Sequence, residues 1–169
     1  MHLAHIVGKW NEFTCQEFYK LIHKRVQQPT YKRKLEIYSD GNDQNIQAIL
    51  RFWNKDSVRY GQLIKDKEKQ RVIGRYKRWI FGYDSYDKIS IAHIDGYCAR
   101  LRERVARFAR EAKSYSKKRR VISRILDIQQ ANNNLIEIKE KGRTPAMIEG
   151  LVSEKWSWSR LLHKRLPFV

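Results

Sequence analysis

Hydrophobic and polar positions in the first third of the chain follow a strand, helix, strand, helix order. Residues His2–Val7 are apolar enough for a strand, and a helix opening at Phe13 carries apolar residues three and four apart. A second short strand, Leu35–Tyr38, is followed by an amphipathic helix over residues 44–53. This order is typical of parallel strands joined by crossover helices. We therefore expect Leu35–Tyr38 to be an interior strand of a mixed sheet, parallel to His2–Val7.

The remainder of the chain predicts two more strands and then helices. Val58–Ile64 and Arg71–Phe81 are strand-like and are separated by the charged run KDKEKQ, which favours a hairpin or two edge strands. From about Ile91 the apolar spacing predicts a long helix reaching Ala112. A second helical run covers Val121 to Lys139. The C-terminal third is therefore expected to be helical.

Charge indicates the class of partner. The 169 residues include 36 lysines and arginines against 18 acidic residues, a net charge of +18. Such an excess makes a polyanion the expected partner, because basic faces gain affinity by releasing the counterions of phosphates. No apolar run is long enough to span a bilayer, so nucleic acid is favoured over a membrane. Cys15 and Cys98 lack the CxxC spacing of zinc sites, which indicates free thiols in a reducing cytoplasm.

The predicted long helix carries the most concentrated positive charge. Its basic face and the run that follows it supply the predicted DNA-binding residues, which are Arg100, Arg104, Arg107, Arg110, Lys117, Lys118, Arg119 and Arg120. The alternative is that this face is only solvated surface.

The second strand of the predicted hairpin also combines charge with aromatic rings. It interleaves Arg75, Lys77 and Arg78 with Tyr76 and Trp79. This pattern suits a surface that follows a DNA backbone, and it equally suits an edge strand protected by charge.

Two carboxylates are candidates for chemistry. Asp40 follows the second strand in Ser39-Asp40-Gly41, and Asp95 lies at the start of the basic helix. Carboxylates brought together in this way can hold magnesium for phosphoryl transfer. An Asp-Gly after a strand is also a common turn, and Asp95 could be a favourable first-turn residue, so both readings stay open. Nucleotide-binding glycine loops and HExxH zinc motifs are not found in the sequence.

Four stretches, in order, carry a family resemblance. They are SDGNDQN, VRYGQLIKDKEKQRVIGRYKRWIFG, HIDGYCARLRERVARFAREAKSYSK and RTPAMIEGLVSEKWSW. Together they resemble the catalytic part of DDE-type insertion-sequence transposases, in particular the archaeal and bacterial group related to insertion sequence one.

The resemblance implies a fold and a chemistry. It implies an α/β, truncated RNase H-like mixed sheet with flanking helices and a long basic C-terminal helical region. Residues 1–115 would be a partial catalytic domain and residues 116–169 its helical tail. In the family, three acids bind two divalent metals for DNA cleavage and strand transfer. Asp40 falls on the second acid, and Asp95 falls where the family usually has glutamate, so both are implied as catalytic and metal-binding residues.

The chain also departs from the family pattern. No residue matches the family's first catalytic aspartate, so the resemblance implies a truncated transposase fragment. Such a fragment would bind DNA and bind Mg²⁺ or Mn²⁺ weakly, and would be inactive alone. An upstream-encoded transposase fragment or a second copy of the chain are its expected protein partners. The alternatives are a non-enzymatic basic nucleic-acid-binding protein, with Asp40 and Asp95 as turn and cap residues, and a ribosome-associated basic protein.

Overall fold

The computed structural model describes residues 1–9, 11–69, 71–105, 108 and 118–164. The chain divides into two compact units. The larger unit is Gly8–Lys117, and the smaller unit joins Met1–Val7 to the chain from Lys118 onward.

A three-stranded mixed sheet forms the centre of the larger unit. Strand β1 (Leu35–Asp40) leads through helix α2 (Gln44–Leu50) to β2 (Val58–Glu68), which pairs parallel to it. Strand β3 (Arg71–Phe81) returns antiparallel to β2, and the strand order is β1-β2-β3. The predicted α/β class, the mixed sheet and the hairpin are therefore confirmed.

Helices cover one face of this sheet. Helix α1 (Glu12–Arg25) begins at Asn11, whose side chain accepts a hydrogen bond from the Thr14 amide, and it packs beside α2. Cys15, Phe18 and Ile22 of α1 pack onto the buried core. The core consists of Tyr19, Ala48, Ile49, Trp53, Val58 and Tyr60. Burial of these apolar side chains stabilises the larger unit.

On the opposite face of the sheet, Ile89 packs directly over Gly61. A Cβ atom added at Gly61 would lie only 2.6 Å from Ile89 Cγ1. Helix α3 (Ala92–Arg104) follows and buries none of its residues. The helix predicted to reach Ala112 ends earlier, because Val105 has an extended backbone. Residues 106–107 and 109–117 lie outside the described part of the chain.

The smaller unit is helical in its later part. Its helices are α4 (Arg119–Ala131), a π-helical turn (Asn132–Ile136), α5 (Pro145–Ile148) and α6 (Trp158–His163). The predicted second helical run is thus confirmed, although it ends three residues before Lys139. No described helix of either unit is long and apolar enough to cross a membrane.

The predicted strand at His2–Val7 is wrong. Side chains of the smaller unit's helices, rather than a neighbouring strand, bond to its backbone: Asn134 and Gln130 donate to the His2 carbonyl, and Arg119 donates to the Val7 carbonyl at 2.8 Å. Strand β1 consequently pairs with β2 alone among the described strands. It is an edge strand and not the interior strand that the sequence predicted.

Candidate nucleic-acid interface

Asp40 lies exposed at the carboxyl end of β1, where its Cα pairs in register with that of Leu63. Burial raises the pKa of the Cys15 thiol, and the negative charge of Asp40 raises it further. The same charge contributes to the raised pKa of Tyr60, after the larger effect of burial. The Asp40 carboxylate therefore lies near enough to affect Cys15 in the first turn of α1 and Tyr60 in the core.

A buried polar network fixes the turn that follows β1. Tyr60 OH lies 2.7 Å from Ser39 Oγ and accepts a hydrogen bond from Gln62 Nε2 at 2.8 Å. Asn45 donates to Ser39 Oγ at 3.1 Å, and Arg78 donates to Gln62 Oε1 at 2.9 Å. Tyr60 and Gln62 are fully buried, so these bonds satisfy groups that would otherwise be costly to bury. No pattern in the sequence predicted this network.

Asp95 lies in the first turn of α3, on a different surface feature. Its carboxylate is 3.5 Å from Lys65 Nζ of β2. It lines a groove of about 730 Å³ together with residues of β2, β3 and the segment leading into α3. The lining residues are Leu63, Arg75, Tyr76, Lys77, Tyr86, Asp87, Ile89, Ser90, Ile91, Ala92 and Asp95. Asp40 is not among them, so this groove does not bring the two predicted catalytic carboxylates together.

The surroundings of Asp95 are unfavourable for a magnesium ion. Magnesium prefers one or two carboxylates together with water and phosphate oxygens. Asp95 instead faces the ammonium of Lys65, which competes with a cation for the same oxygens. No group of three or more His, Cys, Asp or Glu side chains in the described part of the chain is placed to hold a metal. We therefore derive no metal-dependent step from Asp40 and Asp95.

Strand β3 presents cations beside this groove. Arg75 and Lys77 line it, and Arg71 lies exposed further along the strand. None of these three side chains forms an ion pair with a described carboxylate, whereas Arg78 is paired with Asp43 and bonded to Gln62. Three positive charges on one strand are thus left available to an external anion.

Four aromatic rings contact one another in succession from the sheet to the groove, and we call them the aromatic ladder: Tyr38, Trp79, Tyr83 and Tyr86. The rings of Tyr38 and Trp79 have centroids 6.0 Å apart, Trp79 and Tyr83 follow at 6.3 Å, and Tyr83 and Tyr86 at 5.7 Å. Tyr83 is 71% exposed and Tyr86 is 48% exposed. The composition of the segment YDSYDKIS that contains them is typical of a polar turn. Two tyrosines directly after a basic and aromatic strand were the signal that could have revealed the ladder.

The predicted DNA-binding residues divide between the two units. Arg100 and Arg104 lie on α3, partly buried and exposed respectively. Lys118, Arg119 and Arg120 are exposed at the start of α4 in the smaller unit, where Arg119 also holds the Val7 carbonyl. Three others, Arg107, Arg110 and Lys117, lie outside the described residues.

Comparisons with protein families, curated proteins and solved structures find no match to this chain. The resemblance to DDE transposases therefore rests on the sequence motifs alone.

Proposed function

We propose that this protein binds DNA through phosphate contacts made by the exposed cations of the larger unit. The observation that carries the proposal is the set of unpaired charges on β3. Arg71, Arg75 and Lys77 have no carboxylate partner among the described residues, so a bound phosphate would not have to displace an existing ion pair. Phosphate contacts of this kind supply most of the affinity for DNA irrespective of sequence.

The net charge of the whole chain supports the same function. At +18, the protein attracts a polyanion from a distance and accelerates its association. Arg100 and Arg104 on α3 add two further cations in the same unit. We therefore include them among the contacts to DNA.

We further propose that the larger unit derives from an RNase H-like DDE transposase. The order of the four motifs supports this origin, and Asp40 at the carboxyl end of β1, in a parallel pair with β2, is compatible with it. Sequence-independent contact with the DNA backbone would be the function inherited from such an enzyme.

The non-enzymatic alternative has one observation in its favour. The Lys65 to Asp95 contact gives Asp95 a structural partner, as expected for a carboxylate without a catalytic role. A cleavage assay on duplex DNA with Mg²⁺ tests the non-enzymatic alternative, because nicked strands would require a working catalytic site and would contradict it. We expect binding without cleavage by this chain alone.

The deciding experiment measures the affinity for a labelled duplex by fluorescence anisotropy. The parent should bind two duplexes of unrelated sequence with similar affinity, and that affinity should fall at least about tenfold between about 50 and 200 mM salt. The triple variant Arg71→Gln, Arg75→Gln, Lys77→Gln should bind both duplexes more weakly by the same factor.

The matched control removes the same charge elsewhere in the larger unit. Lys20→Gln, Lys24→Gln and Arg33→Gln change exposed or partly exposed residues of α1 and the loop before β1. If this control loses as much affinity as the β3 variant, only net charge matters and β3 is not the DNA-contacting surface. If the parent does not bind duplex DNA even at low salt, the proposed function is wrong.

A further inference from the structure

The groove beside β3 offers more than positive charge. Its lining residues include Arg75 and Lys77 of β3 and Tyr86 and Asp87 of the segment before α3. Its volume of about 730 Å³ lies within the range of about 300–1,000 Å³ that is usual for small-ligand sites. A duplex is too wide to enter such a space, but one nucleotide fits in it.

An exposed ring next to cations suits a nucleotide in particular. Tyr86 is 48% exposed, and its ring makes an edge contact with that of Tyr83, with centroids 5.7 Å apart. Tyr83 in turn contacts Trp79, which ties the ladder to the sheet. Bases stack on such rings regardless of their identity, and lysine or arginine alongside binds the phosphate.

The acidic residues of the groove argue against a site for phosphate alone. Asp95 is compensated by Lys65 at 3.5 Å, but Asp87 has no cationic partner among the described side chains. A carboxylate repels a bare phosphate, whereas it accepts a hydrogen bond from the exocyclic amine of a base such as cytosine. The combination of aromatic ring, carboxylate and cations therefore matches a nucleotide better than an inorganic anion.

We propose that this groove binds an unpaired nucleotide of a single DNA strand. The base stacks on Tyr86, Asp87 accepts from its exocyclic amine, and Arg75 and Lys77 contact the adjoining phosphates. This inference rests on the proposed DNA binding and adds to it a preference for single-stranded or unpaired segments.

The test compares labelled oligonucleotides of equal length: dC and dT homopolymers and a perfectly paired duplex. Tyr86→Ala should weaken binding of the single strands by about tenfold, the loss of one stacked base, and should leave duplex binding nearly unchanged. Asp87→Asn should reduce the preference for dC over dT. The matched control is Tyr31→Ala, because Tyr31 is 78% exposed in the same unit and lies outside the groove.

A second pair of variants separates the groove from general charge. Arg75→Gln lies in the groove and Arg71→Gln lies outside it on the same strand, and both remove one charge. Arg75→Gln should lower the affinity for the single strand more than Arg71→Gln does. Fluorescence of Tyr and Trp should also be quenched on single-strand binding in the parent and less in Tyr86→Ala.

Three outcomes would overturn the inference. These are equal loss of single-strand affinity in Tyr86→Ala and Tyr31→Ala, equal effects of Arg75→Gln and Arg71→Gln, and tighter binding of an RNA strand than of the DNA strand of the same sequence. The two outcomes from the tyrosine and arginine pairs can occur while the parent still binds duplex DNA. In that case the groove does not bind a nucleotide, but the proposed DNA binding stands. Loss of binding to every nucleic acid by the parent would instead overturn the proposed function itself.

Discussion

Lys65 Nζ lies 3.5 Å from the Asp95 carboxylate, so that strand β2 and helix α3 are joined by an ion pair beside the groove. The pair is partly exposed, at 30% and 55% of the two side chains, and its contribution to stability is expected to be only about 0–1 kcal/mol. A metal ion that bound the Asp95 carboxylate would have Lys65 Nζ beside it and would compete with this contact.

The first prediction concerns metal binding. In calorimetric titrations with Mn²⁺, the parent and Asp40→Asn should give the same weak heats, because Asp40 does not line the groove that contains Asp95. Lys65→Gln should bind Mn²⁺ more tightly than the parent, since it releases the Asp95 carboxylate. Loss of binding specifically in Asp40→Asn would instead show that both carboxylates hold one ion, as the transposase resemblance implies.

The second prediction concerns the buried polar network. Tyr60→Phe removes the hydroxyl that contacts Ser39 and accepts from Gln62, and both partners are then left with fewer bonds in a buried place. Unfolding by urea should show a loss of about 1–3 kcal/mol. Tyr31→Phe is the control, because Tyr31 is 78% exposed and its removal should change stability little. An unchanged urea midpoint in Tyr60→Phe would mean that water replaces the hydroxyl without cost.

The third prediction uses the reactivity of the Cys15 thiol to test whether the Asp40 carboxylate lies near it. Burial and the charge of Asp40 both raise the pKa of Cys15, so at pH 8 the thiolate fraction, and with it the alkylation rate, should be lower than for an ordinary cysteine. As the pH rises, the alkylation rate should increase only above the pH range in which an ordinary cysteine thiol ionises. In a Cys98→Ser background, Asp40→Asn should move this increase to lower pH.

The control for that measurement is Asp43→Asn. Asp43 is in the same turn but is 78% exposed at its side chain and is paired with Arg78. Equal shifts in the alkylation profile from Asp40→Asn and Asp43→Asn would indicate that Asp40 has no special proximity to Cys15.

The fourth prediction compares two strand glycines of the same unit. An alanine at Gly61 would place its Cβ 2.6 Å from Ile89, whereas at Gly74 the nearest atom is Asp66 Cβ at an ordinary 3.7 Å. Gly61→Ala should destabilise the protein by about 1–3 kcal/mol through overpacking. It should also weaken single-strand binding, because Ile89 forms part of the groove wall. Gly74→Ala should be close to neutral in both the urea and the binding measurements.

The spacing of apolar residues along the chain predicted most helices and strands of the larger unit. It did not predict contacts between residues that are distant in sequence. The β2–β3 hairpin and helices α1 and α2 could be read from their apolar spacing and from the charged turn between the strands. The segment His2–Val7 has the composition of a strand, and composition does not reveal that Gln130 and Asn134, more than a hundred residues later, bond to its backbone.

The candidate site was predictable to a similar extent. The basic and aromatic alternation of β3 pointed to Arg75 and Lys77, whereas the ladder depends on a turn that brings Tyr83 and Tyr86 into line with Trp79. The partner of Asp95 is thirty residues away in sequence, on a strand. Neither relationship has a short-range sequence signal.

The position of β3 at the edge of the sheet has a practical consequence for handling the protein. In the described part of the chain β3 pairs only with β2, so its other side presents free backbone groups to which a strand of another molecule could add. Arg71 and Arg75 are exposed along it, and like charges of this kind disfavour the pairing of two such edges. Charges that we assign to DNA contact therefore also disfavour aggregation through this edge. High salt and charge-neutralising substitutions, the usual means of stripping nucleic acid during purification, should promote self-association of this protein.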